Sequence, residues 1–195
     1  TPGDYKLDHV DGVPTAEEEE TYGALEKDNN LLLLTDSTNV ENPGFSTPER
    51  LVGENLAEIV RTTKTRLIVS MFASHIVRIG KIIEAAEQCN KKVAIEGRSM
   101  KNNVDICIAA GLIKVKDGTI IPSTDIASYP PDRIIVLATG AQGDEFAALT
   151  RLANKSHKQL RLSEHDTVLL SASIVPGNEK AVQDLKDNIA RHGAR

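Results

Sequence analysis

The sequence predicts an α/β fold: a mainly parallel, five-stranded sheet with helices on both faces. Two observations carry this. Short runs rich in Leu, Ile and Val alternate with helical patterns, and each run stops at a polar segment. Strands of that length joined by helices make βαβ units, which force parallel pairing. Aromatic residues make up only 3% of the chain and Trp is absent, so the core is aliphatic, as in strands buried on both faces.

The elements follow in order. Residues 1–13 are polar and turn-rich, and Glu17 to Glu20 is a carboxylate run suited to a solvated helix start or linker. Leu31 to Thr35 reads as the first buried strand. Pro43-Gly44 breaks the chain. Ser46-Thr47-Pro48-Glu49 then opens a helix to about Thr62, with a hydroxyl cap and Pro in the first turn. Arg66 to Phe72 is a strand and Ser74 to Gln88 a helix with Ile76, Ile79, Ile82, Ile83 and Ala86 on one face. Lys91 to Glu96 is a strand, and Ser99 to Ala110 a helix stopped by Gly111. Residues 112–132 are irregular, with a small hairpin expected over Lys114 to Ile121. Arg133 to Ala138 is a strand, Asp144 to Asn154 a helix, Thr167 to Ser171 a strand, and Asn178 to His192 a helix ended by Gly193.

Composition bounds the function. A chain of 195 residues with 26% charged residues is an ordinary globular chain. The net charge of −5 does not mark a nucleic-acid binder, although it says nothing about one face. The scarcity of aromatics argues against a base-stacking platform. Cys89 and Cys107 have no metal-ligand spacing and read as reduced, cytoplasmic thiols. No stretch approaches the ~18 apolar residues of a membrane span. The N-terminus has no signal-peptide pattern and no initiator Met, so the chain is expected to begin mid-protein.

Ligands of open α/β sheets bind beyond the carboxyl ends of the strands. The candidate site residues are therefore the polar tips. Asp36 follows four leucines and would sit at the rim of the sheet, as a turn cap or as support for a cationic site. Ser74 and His75, Arg98 and Ser99, Thr139, Gly140 and Gln142, and Ser171, Ser173 and Asn178 supply hydroxyl, amide, imidazole and guanidinium groups at four successive tips. Arg98 has the donor geometry best suited to phosphate. The glycines of Thr139-Gly140-Ala141-Gln142-Gly143 let backbone N–H groups approach an anion, without a Walker or dinucleotide motif. No HxHxDH, HExxH or GxSxG occurs.

Several ordered motifs then resemble one family. They are Gly3-Asp4-Tyr5-Lys6-Leu7-Asp8, Leu33-Leu34-Thr35-Asp36-Ser37-Thr38-Asn39, Phe72-Ala73-Ser74-His75-Ile76-Val77-Arg78, and Gly97-Arg98-Ser99-Met100. Pro130-Pro131, the Thr139 to Asp144 segment, Ser171-Ala172-Ser173 and Pro176-Gly177-Asn178-Glu179 continue the series. The set resembles ribonuclease J, a metallo-β-lactamase-fold nuclease with an inserted, Rossmann-like β-CASP domain. The resemblance implies that residues 1–20 are the end of a lactamase segment and that 25–195 are the β-CASP domain. It implies that Asp4 bridges two zinc ions in the parent enzyme and that Asp36 faces the catalytic centre. A zinc-bridging water would then attack the RNA phosphodiester, while the β-CASP edge positions the phosphates. The HxHxDH ligands are absent from the sequence, so the isolated chain is expected to be inactive. Ala141 stands where the family often has Ser, and Val175 lies at or beside a position where it often has Pro. The implied partners are RNA and the lactamase domain of the same protein, in the cytoplasm and away from membranes. The parent's oligomeric state stays open, a homo-oligomer included. The alternative is a stand-alone α/β module that binds a nucleotide or a protein.

Overall fold

The computed structural model describes residues 6–37 and 40–195, and the chain divides between Asn55 and Leu56 into two units. In the first, two-residue strands β1 (His9–Val10) and β2 (Val13–Pro14) pair antiparallel. The turn between them is Asp11-Gly12, with φ of 50° and 86°. Asp-Gly suits such a hairpin because both central residues need positive φ. Helix α1 (Ala16–Gly23) is capped by the Thr15 hydroxyl, which accepts from the Glu18 N–H, and carries Glu17, Glu18 and Glu19 in its first turn. Carboxylates there face the positive end of the helix dipole. The acidic run is thus the exposed helix start that the sequence suggests.

The second unit holds the main sheet. Helix α2 (Glu49–Thr62) leads into strand β3 (Arg66–Ser70), followed by α3 (Ile76–Gln88), β4 (Lys92–Glu96), α4 (Arg98–Ala109), β5 (Ile134–Ala138), α5 (Ala148–Ala153), β6 (Asp166–Leu170) and α6 (Glu179–Ala190). The strands lie in the order β4-β5-β3-β6, all parallel. Every residue of β5 is buried. Side chains alternate across the sheet. Ile68, Ala94 and Val136 join one core with Leu149 and Leu152 of α5 and Leu185 and Ile189 of α6. Their strand neighbours, Leu67, Val93 and Ile135, are fully buried too, and α3 and α4 pack against β4 and each other. The α/β parallel-sheet expectation is met, with one strand fewer.

Three details differ from the sequence reading. Leu31 to Leu34 are 58–101% exposed and lie outside the sheet, so Leu31–Thr35 is not a fifth strand. An apolar run marks a preference for burial but does not supply a covering layer, and none of the described residues buries this one. The hairpin expected over Lys114 to Ile121 is instead one extended contact along β4. Val93 donates to Thr119 O and accepts from the Ile121 N–H, each at 2.9 Å, which satisfies the outer edge of the sheet. Helix α5 starts at Ala148 rather than Asp144, because Gly143 has φ +79° and residues 144–147 form a turn closed by Ala147 N–H to Asp144 O at 3.0 Å.

Candidate functional site

The chain leaves β3 toward β4 and leaves β5 toward β6, on opposite sides of the adjacent pair β5-β3. This is a topological switch point, where open α/β sheets hold ligands. Backbone bonds lock the four strand tips together beyond it. Thr139 N–H donates to Glu96 O at 3.1 Å, Met71 N–H to Ala138 O at 3.2 Å, and Ser171 N–H to Ser70 O at 2.8 Å. The ten tip residues named from the sequence, from Ser74 to Asn178, therefore share one edge of one unit.

They do not play equal parts. Arg98 and Ser99 open α4 and are exposed. Among the described residues nothing engages the Arg98 guanidinium, and the side chain is exposed. Gly97 before it has φ +115°, and a Cβ there would lie 2.5 Å from Thr139 Oγ1. Only glycine lets the two tips approach so closely. Thr139 is itself committed, because its Oγ1 accepts from the Ala148 N–H at 3.4 Å. Ser74 is exposed, and the His75 ring stands edge-on to Phe72, with centroids 5.3 Å apart.

Gln142 is 5% exposed and is a staple. Its Nε2 donates to Ser173 O at 2.8 Å, and its Oε1 accepts from the Val175 N–H at 2.8 Å and from Asn178 Nδ2 at 3.3 Å. Ser171 accepts from Arg78 at both O (2.9 Å) and Oγ (3.3 Å). The Gly177 N–H is taken by Glu179 Oε1 and Oε2 at 3.1 and 2.9 Å. Backbone hydrogen bonds hold the Glu179 carboxyl below its ordinary pKa. The β6 tip thus already carries a carboxylate from its own chain, and Gln142, Ser171 and Asn178 shape the edge.

Beneath the edge lies a buried polar cluster. Glu96, the last residue of β4, accepts from the Ser123 hydroxyl and, at 3.2 Å, from His157 Nε2. Sequence reasoning missed this cluster, along with Arg78 and Asn103, whose Nδ2 ties α4 to Ala73 O at 2.9 Å. Arg78 could have been found, since it lies one helical turn beyond His75 on the same face. Nothing in the local pattern marks Glu96 or His157, which meet 61 residues apart.

Asp36 is half-buried in the first unit, beyond an exposed leucine run, so within the chain it does not stand at the rim of a buried strand. Asp4 lies outside the described residues. Among the described residues no three His, Cys, Asp or Glu side chains converge as metal ligands would. The described donors do not make up a metal centre by themselves.

A family model described as the ribonuclease J β-CASP domain matches residues 64–189. Ribonuclease J of Mycolicibacterium smegmatis is 39% identical over 195 residues, covering 99% of this chain and 35% of that protein. Ribonuclease J of Mycoplasma genitalium is 36% identical over 191 residues, 98% of this chain and 33% of that protein. Ribonuclease J2 of Bacillus subtilis is 35% identical over 196 residues, 99% of this chain and 35% of that protein. The chain spans about a third of the length of these relatives. The match falls on the parallel sheet, all four of its strands included, and the chain belongs to the ribonuclease J β-CASP domain family.

Proposed function

We propose that this chain is the RNA-positioning part of a zinc-dependent ribonuclease and that the carboxyl edge of its sheet holds substrate phosphates. The observation that carries the reading is Arg98: a guanidinium with no hydrogen-bond or ion-pair partner among the described residues, exposed at the first turn of α4 beside the β5-β3 switch point. Arg offers five donors in a fixed fork suited to phosphate, and the helix N-terminus adds favourable potential. Ser74, Ser99 and Ser173 supply further exposed groups. Gln142, Ser171, Asn178, Thr139 and Gly140 hold the tips in place, and His75 works from the same edge.

In this reading residues 1–20 belong to a lactamase segment and 25–195 to the β-CASP domain. Asp4 contributes to a two-zinc centre and Asp36 supports it, with the other ligands coming from the lactamase domain. The 195-residue chain alone does not cleave RNA. The enzyme works in the cytoplasm, and no helix among the described residues is long and apolar enough to cross a membrane.

The test is Arg98→Ala in the full-length enzyme. Phosphate contacts carry little sequence information. Affinity should fall for unrelated RNA sequences alike, and the slope of log K against log salt should drop by about 1. Unchanged affinity and slope would make Arg98 an ordinary solvated residue.

A further inference from the structure

The opposite rim of the same sheet carries a feature that the carboxyl edge does not explain. A small pocket of about 180 Å³ lies where the chain enters β3, β4 and β5, lined by Arg61, Lys64, Cys89, Lys91, Asp132 and Arg133, with Thr63. Lys91 is only 7% exposed. Its Nζ donates to Thr63 O at 2.8 Å, and no carboxylate among the described residues lies within ion-pair distance. A buried ammonium with one neutral acceptor is costly unless something supplies a counter-charge. Burial lowers its pKa, while the nearby Cys89 and Asp132 favour the charged form and Lys64 and Arg133 oppose it. Asp132 is the one carboxylate in the pocket lining, against four cations. Arg133 Nη1 donates to Cys89 O and Asn90 O, both at 3.1 Å. Arg61 pairs with Glu58 outside the pocket. Lys64 is exposed and makes no side-chain bond to any described residue.

Helix C-termini explain why cations gather here, because lysine and arginine satisfy terminal carbonyls. They do not explain a concave pocket with four cations, one carboxylate and a mostly buried ammonium at its wall. The volume is well below the roughly 300–1,000 Å³ that encloses a drug-sized ligand. It suits one tetrahedral oxyanion, which accepts from several donors at once. The strands are five residues long, so at about 3.3 Å per residue the pocket stands roughly 15 Å or more from the carboxyl edge.

We propose that this amino-edge pocket is a second anion site, binding a single phosphoryl group through Lys91, Lys64, Arg61 and Arg133. The group comes either from free orthophosphate or from the end of an RNA chain.

The test uses the 195-residue chain and inorganic phosphate as the probe, against chloride at equal ionic strength. Phosphate should raise the melting temperature in a saturable way, as a ligand of the native state does. It should also shift the backbone amide resonances of residues 63–64, 89–91 and 132–133. Lys64→Ala removes an exposed, unbonded side chain, so the fold is kept, and affinity should fall about threefold. Lys91→Met keeps the stem and removes the buried charge. It should weaken binding more than about tenfold, since charged partners buried at contacts are worth most. Arg98→Ala should leave the amide shifts at residues 63–64, 89–91 and 132–133 unchanged. A 5′-phosphorylated oligoribonucleotide compared with its 5′-hydroxyl form separates the sources. Shifts with the phosphorylated form alone point to RNA ends; shifts with orthophosphate point to the free ion. Either result supports the site. Amide shifts confined to residues 98–99 and 139–143, no shift at all, or binding unaffected by both lysine variants would overturn it.

Discussion

The imidazole of His157 is 4% exposed and faces the Glu96 carboxylate at 3.2 Å. Its Nδ1 accepts from the Leu160 N–H at 3.2 Å and the Gln159 N–H at 3.4 Å. The ring is therefore neutral, with its proton on Nε2, donated to Glu96. Burial holds its pKa below the ordinary 6.5, against the pull of Glu96. The sign follows from linkage. The unfolded chain takes up a proton first as pH falls, so the stability this group contributes is complete above about pH 6.5 and is lost through the lower, folded pKa. Protonating Nδ1 would also set an N–H against two backbone donors. Urea unfolding midpoints at pH 7.5 and 5.5 should therefore separate more for the wild type than for His157→Gln, which cannot titrate. Equal separations would show that His157 does not drive the acid response.

Among the elements, the loop after β5 and the loop after β6 form one structure because Gln142 joins them through Ser173 O, Val175 N–H and Asn178 Nδ2. Gln142→Ala leaves the Val175 amide without its acceptor and the Ser173 carbonyl without its donor. An orphaned group of this kind costs about 1–3 kcal/mol where it is buried. Hydrogen exchange at Val175 should quicken while exchange in β5 stays slow. Quickened exchange throughout β5 would instead mean that Gln142 supports the whole sheet. The sequence showed where these loops begin, because the expected strands Arg133 to Ala138 and Thr167 to Ser171 end within a residue of β5 and β6. It did not show the staple: from the sequence Gln142 reads as a phosphate-facing amide in a glycine turn, and only its partners 31 to 36 residues on make it a brace between the loops. The same limit explains the leucine run. Leu31 to Leu34 share the apolar character of β3 to β6, but a strand needs a neighbour, and local pattern does not name it. The Arg98 tip was legible for the opposite reason: strand, glycine and helix start are all local.

At the scale of the molecule, stability is unevenly placed. No described residue before Pro48 is buried, whereas the apolar core begins at Leu56 and runs to Ile189. Burial of apolar surface is the main favourable term in folding, so the described residues before Ser46 contribute little to it. The exposed leucines act in another way: four adjacent apolar side chains, 58–101% exposed, make a sticky segment of the kind that promotes association. A chain of residues 46–195 keeps α2 whole, with Leu56 and Val60 still buried. It should melt in one cooperative transition within about 5 °C of the 195-residue chain, because about 1 kcal/mol moves a domain of this size by roughly 2–4 °C. Its light scattering should depend less on concentration. The two readouts separate the effects, since a core role for the leading segment would lower the melting temperature, whereas a purely adhesive role would change only the scattering. A fall of more than about 10 °C would correspond to several kcal/mol, and the leading segment would then carry packing that the exposure of its described residues does not account for.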